Sequence, residues 1–373
     1  MTTRKALVVG AGSAGCATAI LLAEGGWQVD LVEIKPAVTA IGSGITLQGN
    51  ALRVLRRLGV WERVRASGFA FDDLGLRAPD GELLAEFDDV RTGGPDLPAT
   101  LGTYRPELAR ALVERAREVG VRVRFGDSCT GFEHAGPSVA VTFVDGGVQH
   151  YHLVVGADGV RSSTRGLLGV DLETRPTGIG IWRAFVPRPE SVARTDIYYG
   201  GRCYLAGYCP TGQNSLYAYL AERAQDRTGL SPAESLELMR ELAGHYGGPW
   251  EEIRRQLTDP DAVHYTHFES HLLERPWHRG RVALAGDALH VCPPTLAQGA
   301  AQALEDAVAL AEEVLSAGDA TDAALEAYAA RRFDRAKTVV EASDQLAQWL
   351  LDGERGDVPG LMARVSELVA QPV

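Results

Sequence analysis

The run Gly10-Ala11-Gly12-Ser13-Ala14-Gly15 constrains this chain most, because of what flanks it. Lys5–Gly10 is apolar enough for a buried strand, Gly12–Gly25 is rich in Ala, Ile and Leu and predicts a helix, and Gln28–Glu33 predicts a second strand. A G-x-G-x-x-G turn between a strand and a helix lets a pyrophosphate approach the backbone closely. The helix N-terminus adds free N–H groups and a partial positive charge. Glu33 ends the second strand, 23 residues after Gly10, where a carboxylate can accept hydrogen bonds from ribose hydroxyls. A glycine-rich turn beside a surface glutamate is the plainer alternative, and the strand–helix–strand context argues against it.

The 373 residues carry a net charge of -12, which argues against nonspecific nucleic-acid binding. The five cysteines (Cys16, Cys129, Cys203, Cys209, Cys292) form no C-x-x-C pair and read as reduced thiols of a cytoplasmic protein. The small-residue run from Ala6 to Ala23 after Arg4 and Lys5 loosely resembles a signal peptide, but its glycines suit the nucleotide turn better. No uninterrupted apolar run reaches the ~20 residues of a membrane helix.

Further along, helices are expected at Asn50–Leu58, closed by Gly59, and at Glu107–Val119, closed by Gly120. Short strands follow at Val121–Phe125, Val139–Val144 and His152–Val155. Between Thr174 and His271 strand-like stretches dominate: Gly180–Val186, Asp196–Tyr199, Cys203–Tyr208 and Ser215–Leu220, with one helix at Pro232–Tyr246. Arg281–Ala285 predicts a buried strand, and Ala300–Leu315 and Asp322–Leu350 predict helices. The expected fold class is α/β: a Rossmann-like cofactor domain, an inserted antiparallel-sheet substrate domain and C-terminal helices. The cofactor domain is discontinuous (1–75, 100–173 and 275–350), the substrate domain takes 76–99 and 174–274, and 351–373 forms a C-terminal helical segment.

Two more motifs follow apolar strands. Val155-Gly156-Ala157-Asp158-Gly159-Val160-Arg161-Ser162 could by itself be an ordinary Asp-Gly turn. Gly286-Asp287-Ala288-Leu289-His290 leads to Pro293-Pro294, Gln298-Gly299-Ala300 and Glu305-Asp306. Its strand delivers Asp287 to the carboxyl edge of the sheet, where open α/β sheets bind ligands. Asp287 could bond a ribityl hydroxyl, and the helix start at Gly299 could face a developing negative charge.

The three motifs, in this order, resemble the p-hydroxybenzoate hydroxylase family of class A flavin monooxygenases over nearly the whole chain. Ile41-Gly42-Ser43-Gly44-Ile45-Thr46-Leu47-Gln48-Gly49-Asn50 is similar to salicylate hydroxylase-like members. Cys292-Pro293-Pro294-Thr295-Leu296-Ala297-Gln298-Gly299-Ala300 is similar to pyridine-carboxylate oxygenases. The resemblance implies FAD, with Gly10, Gly12, Ser13, Ala14 and Gly15 under the pyrophosphate and Glu33 on the adenosine ribose. It places Arg105 at the phosphate–ribityl region, Asp158 in FAD and pyridine-nucleotide contact, Asp287 on the ribityl chain, and Pro294, Gly299 and Ala300 by the isoalloxazine. It implies NADH or NADPH as transient co-substrate, and hydroxylation of a small aromatic or heteroaromatic ring by O2 through a flavin C4a-hydroperoxide. A flavin oxidase or reductase without oxygen insertion and a non-catalytic flavoprotein are the other readings. A monomer or homodimer is expected.

The catalytic candidates are His290, Arg183 and Tyr217, with His267 or water as other possible bases. Arg183 could bind a substrate carboxylate or form a structural ion pair. His264, His267 and His271 have metal-like spacing, but a strand would turn His264 and His267 to opposite faces, so no metal site is expected. Trp182-Arg183-Ala184-Phe185-Val186-Pro187 resembles the flavin-halogenase W-x-W-x-I-P motif, with Ala184 in place of the second tryptophan. No lysine lies between Lys35 and Lys337, which argues against halogenation.

Overall fold

The computed structural model describes residues 4–38 and 44–373. Ile41, Gly42 and Ser43 of the salicylate hydroxylase-like stretch lie outside the described residues.

The apolar strands gather into a six-stranded sheet ordered His278–Arg279, Val282–Leu284, Leu153–Gly156, Lys5–Val9, Gln28–Glu33 and Arg122–Phe125. Lys5–Val9 pairs in parallel with both neighbours, and its last four residues are buried, as expected of a strand covered on both faces. The helix Ser13–Glu24 has nine buried residues and no polar face. It packs against the helices Arg105–Glu118 and Gly299–Ala317.

An eight-stranded sheet forms the second layer, ordered His290–Val291, Val263–Leu272, Arg175–Pro187, Ser215–Arg223, Leu205–Gly212, Thr195–Tyr199, Asp73–Arg77 and Leu83–Asp88. Alternation along these strands sorts the side chains. Trp182, Ala184, Tyr198, Tyr208, Ala218 and Leu220 point to one face and are buried beneath the helices Pro232–Ala243 and Pro249–Gln256. Arg183, Phe185, Tyr217 and Tyr219 point to the other face, which is only partly covered. A small sheet of Gly44–Gln48, Thr100–Tyr104 and Phe69–Phe71 lies over one end of that face: a Cβ at Gly44 would stand 2.4 Å from Tyr217 Cβ, and one at Gly102 would stand 2.0 Å from Pro210 O.

Several expectations change. The helix expected over Pro232–Tyr246 stops at Ala243, and a second one forms at Pro249–Gln256 after Gly248, whose φ is +65°. The strand expected at Cys203–Tyr208 runs Leu205–Gly212. Asp73–Arg77 joins the second sheet whole, so a boundary after residue 75 would cut a strand. The C-terminal segment holds one helix, Val358–Ala370. No helix among the described residues is long and apolar enough to cross a membrane.

Candidate active site

Sheet register brings the three motifs together. Val9 pairs with Gly156, and Gly156 with Leu284, so three strands end side by side at Gly10, Ala157 and Ala285. The turns then interlock. Gly10 has φ +102°, and a Cβ there would stand 2.4 Å from Ala157 O and 2.9 Å from Asp158 Cα. Gly286 has φ +64°, and a Cβ there would meet Ala14 Cβ at 2.8 Å. Only glycine lets these backbones approach so closely.

What this edge leaves open suits a dinucleotide. Gly12 precedes Ser13–Glu24, and Gly299 begins Gly299–Ala317; neither helix has a side-chain cap. A Cβ at either glycine would have nothing within 4 Å. Two helix N-termini therefore present backbone N–H groups to open space, the arrangement that binds phosphate or other negative charge. Glu33 accepts from the Ala11 N–H at 2.9 Å and the Lys35 N–H at 3.1 Å, so its carboxylate is held at the glycine turn. Asp158 turns inward instead. It accepts from the Ser162 and Ser163 hydroxyls and, at 2.8 Å, from the Thr164 N–H, bracing its own turn.

Asp287 and Arg105 face each other across the next part of the recess. Solvent reaches both side chains, yet enough protein surrounds them for burial to dominate. Burial raises the Asp287 carboxyl against the pull of His290 and Arg105. Burial and the charge of Arg183 lower Arg105, while Asp287 opposes this. Arg183 and Tyr217 adjoin this pair from the second sheet. Arg183 donates to Thr266 Oγ1 at 2.9 Å, and its Nε is buried with no hydrogen-bond partner. Burial pushes the Tyr217 hydroxyl up, and Arg183 and Arg105 pull it back down. Tyr104 and Phe185 stack beside them, with ring centroids 4.4 Å apart.

The two candidate histidines, His290 and His267, are engaged by other groups. His290 is buried, with Nε2 2.7 Å from Asp306 Oδ2, and so forms part of the structural support beneath Asp287, unlike a free base. His267 pairs with Gly180 and contacts Gln225 O at 3.1 Å, on the sheet face away from Arg183. His264 pairs with Arg183 itself. Trp182 also points away and donates to Glu222 at 2.9 Å. Surface recesses of about 380 and 200 Å³ elsewhere gather none of the motif residues.

Comparison with known proteins gives this geometry its family. The model of the FAD binding domain family matches residues 3–343. The chain belongs to that FAD-binding family. It is an FAD-dependent, NAD(P)H-using monooxygenase of the aromatic-hydroxylase type. The monooxygenase is 34% identical over 312 residues to 2-heptyl-3-hydroxy-4(1H)-quinolone synthase of Pseudomonas aeruginosa, covering 82% of this chain and 79% of that one. It is 30% identical over 370 residues to 6-hydroxynicotinate 3-monooxygenase of Bordetella bronchiseptica, covering 94% and 93%. Among solved structures, the tetrameric form of 2-methyl-3-hydroxypyridine-5-carboxylic acid oxygenase superposes with a TM-score of 0.81 at 28% identity, covering 98% and 96%. These relatives favour oxygen insertion over the oxidase or reductase reading.

Sequence reasoning overlooked Thr266, and it named His271 and Asp306 without the contacts they make. Thr266 contacts Arg183 because its strand pairs with Arg175–Pro187, and period-two alternation in Val263–Leu272 could have put Thr266 and His264 on one face. His271 contacts Asp287 O through Nε2 at 3.0 Å and Thr174 Oγ1 through Nδ1 at 2.8 Å. Asp306 accepts from the Gly286 N–H at 2.9 Å and from Arg332 Nε at 2.8 Å. The contacts of the last two join residues 16 to 97 positions apart, which the motifs containing them do not announce.

Proposed function

We propose that this monooxygenase hydroxylates a small aromatic or heteroaromatic ring bearing an anionic oxygen or carboxylate, which Arg183 holds. The observation that carries the reading is the Arg183 guanidinium. It lies where the substrate sheet meets the cofactor edge, with Thr266 on one N–H and its Nε buried and unpartnered. A buried donor without a partner costs about 1–3 kcal/mol, and an anionic oxygen of the substrate would recover that.

The cofactor roles follow the recess. Gly10, Gly12, Ser13, Ala14 and Gly15 would carry the pyrophosphate, Glu33 the ribose, Arg105 and Asp287 the phosphate–ribityl segment, and Pro294, Gly299 and Ala300 the isoalloxazine. Asp158 would contribute through its turn's backbone, since its carboxylate is engaged there. FAD held there, with NADH or NADPH as reductant, would supply the activated oxygen. The protein's own part is placement. Arg183 orients the ring, Tyr217 presents a hydroxyl that burial keeps protonated and so able to donate to a ring oxygen, and the Tyr104–Phe185 stack excludes water. Residues 1–72, 100–173 and 275–352 would form the cofactor part, 73–99 and 174–274 the substrate part, and 353–373 a closing helical segment, so that the strand Asp73–Arg77 and the helix Asp322–Asp352 stay whole. We place the protein in the cytoplasm as a monomer or homodimer; its five free cysteines, four of them buried, agree with a reducing compartment.

The test is O2 uptake and NAD(P)H oxidation by the purified yellow protein across phenols, salicylates, indoles and hydroxypyridine carboxylates. A ring that accelerates NAD(P)H oxidation and gains one oxygen by mass spectrometry is the expected result; oxidation with no oxygen in the product would refute the reading. Arg183→Gln should raise KM for that ring about 10- to 100-fold while FAD stays bound, as for loss of a charge-assisted contact of ~1.5–3 kcal/mol. An unchanged KM would remove Arg183 from the substrate.

A further inference from the structure

The face of the second sheet that carries Arg183 can be followed strand by strand. Arg183 pairs with Tyr219, Tyr219 with Gly207, Gly207 with Ile197, Ile197 with Leu76, and Leu76 with Ala85. Directly paired residues project to one side, so these six form a single row across the sheet. After Arg183 the row contains no charged group. Four steps at ~4.8 Å per strand carry it ~19 Å from Arg183 to Leu76.

The row is the floor of a trough. One wall is the end of the helix Asp322–Asp352, where Ala347, Leu350 and Leu351 pack with Ile181, Leu205 and Tyr219. The other is the small sheet that brings Gly44 and Gly102 down beside Tyr217 and Cys209. The middle is kept shallow by Gly207, where a Cβ would stand 2.5 Å from Tyr219 Oη; the missing side chain lets that ring lie across the strand. Tyr219, Ile197 and Leu76 are all partly accessible and Ala85 is exposed, so the trough opens toward the edge strand. Tyr199 beside it is 46% exposed, yet burial raises its hydroxyl, as for a group lining a recess.

The opposite face of these strands is filled by two helices. This face is continuous with the ring site, and Tyr219, Ile197 and Leu76 on it remain partly accessible. A small ring held at Arg183 and Tyr217 would leave most of the ~19 Å unfilled. We infer that the substrate is an aromatic ring bearing an unbranched apolar chain, and that the chain lies along Tyr219, Gly207, Ile197 and Leu76 toward the sheet edge. The inference rests on the ring site proposed above and adds the substituent that site selects.

The test uses the FAD-loaded enzyme and salicylate with its 5-methyl, 5-butyl and 5-heptyl derivatives, reading the flavin absorbance change on binding and the stimulation of NAD(P)H oxidation. The dissociation constant should fall about two- to four-fold per methylene, the increment expected of a buried CH2. Ile197→Glu, with FAD content measured on the same sample, should abolish that dependence. Equal or weaker binding of the longer chains by the wild-type enzyme overturns the trough as a chain site while leaving the ring site standing. If neither the ring nor any derivative perturbs the flavin or stimulates oxidation, the ring site fails, and this inference with it.

Discussion

Asp306 illustrates how far the chemistry at this edge depends on groups that do not face it. Its carboxylate holds the Gly286 N–H, His290 and Arg332, and so fixes the turn that presents Asp287. Burial works against its charge, but His290 and Arg332 hold its pKa at about 2. That is below the ordinary value near 3.9, so its contribution is present above about pH 4 and is lost as pH falls toward 2. Asp306→Asn should destabilise the protein by about 3 kcal/mol in urea unfolding at pH 7, the cost of breaking a buried ion pair, and should loosen FAD. Equal stability would show that Glu305 alone satisfies Arg332. His271 behaves in the opposite chemical sense. Burial, then Arg165, lowers its pKa to about 4, so it is neutral in the fold, donating from Nε2 to Asp287 O and accepting from Thr174 at Nδ1. The unfolded chain takes up that proton first, near pH 6.5. The contribution is therefore complete above about pH 7 and declines as pH falls toward 4. His271→Gln can keep both contacts without titrating, so its Tm should fall less between pH 7 and 5 than that of the wild type; parallel curves would assign the acid sensitivity elsewhere.

Among the elements, the helix Val358–Ala370 shows how a terminal segment is tied to the centre. Its last carbonyls lack helical partners, and arginines supply them: Arg335 reaches Leu368 O and Val369 O, and Arg53 reaches Val369 O, Ala370 O and Gln371 O. Both guanidiniums also pair with the buried Glu305 on the helix that begins at Gly299. Deleting residues 358–373 should therefore lower Tm by several degrees and reduce flavin retention; an unchanged Tm and flavin content would reduce the segment to a cover. That helix was not legible in advance beyond its helical character, because its partners are side chains up to 318 residues away in sequence. The parallel strands at Lys5–Val9 and Leu153–Gly156 were legible, since burial on both faces writes itself as an unbroken apolar run. Thr100–Tyr104 and Asp73–Arg77 were not, because they are short and their strand character comes from partners distant in the chain. At the interlocked turns, Gly10 could be read because close backbone approach demands glycine. Thr266 and the role of His271 depend on register and tertiary contact, which residue type does not encode.

For the whole molecule, the cofactor edge is assembled from three places in one sheet: Gly10 near the start, Ala157 near the middle and Asp287 toward the end. Val282–Leu284 completes it by pairing beside Leu153–Gly156, and the helix from Gly299 closes it. Synthesis on the ribosome proceeds from the N-terminus, and domains fold as units once their residues have emerged. A nascent chain of 200 residues already carries the glycine turn and Glu33, but it lacks the strand Val282–Leu284, Asp287 and the helix end at Gly299, to which we assign the other half of FAD. Cofactor capture would thus wait until the helix beginning at Gly299 has emerged, and a polypeptide interrupted before it leaves the ribosome without that helix end.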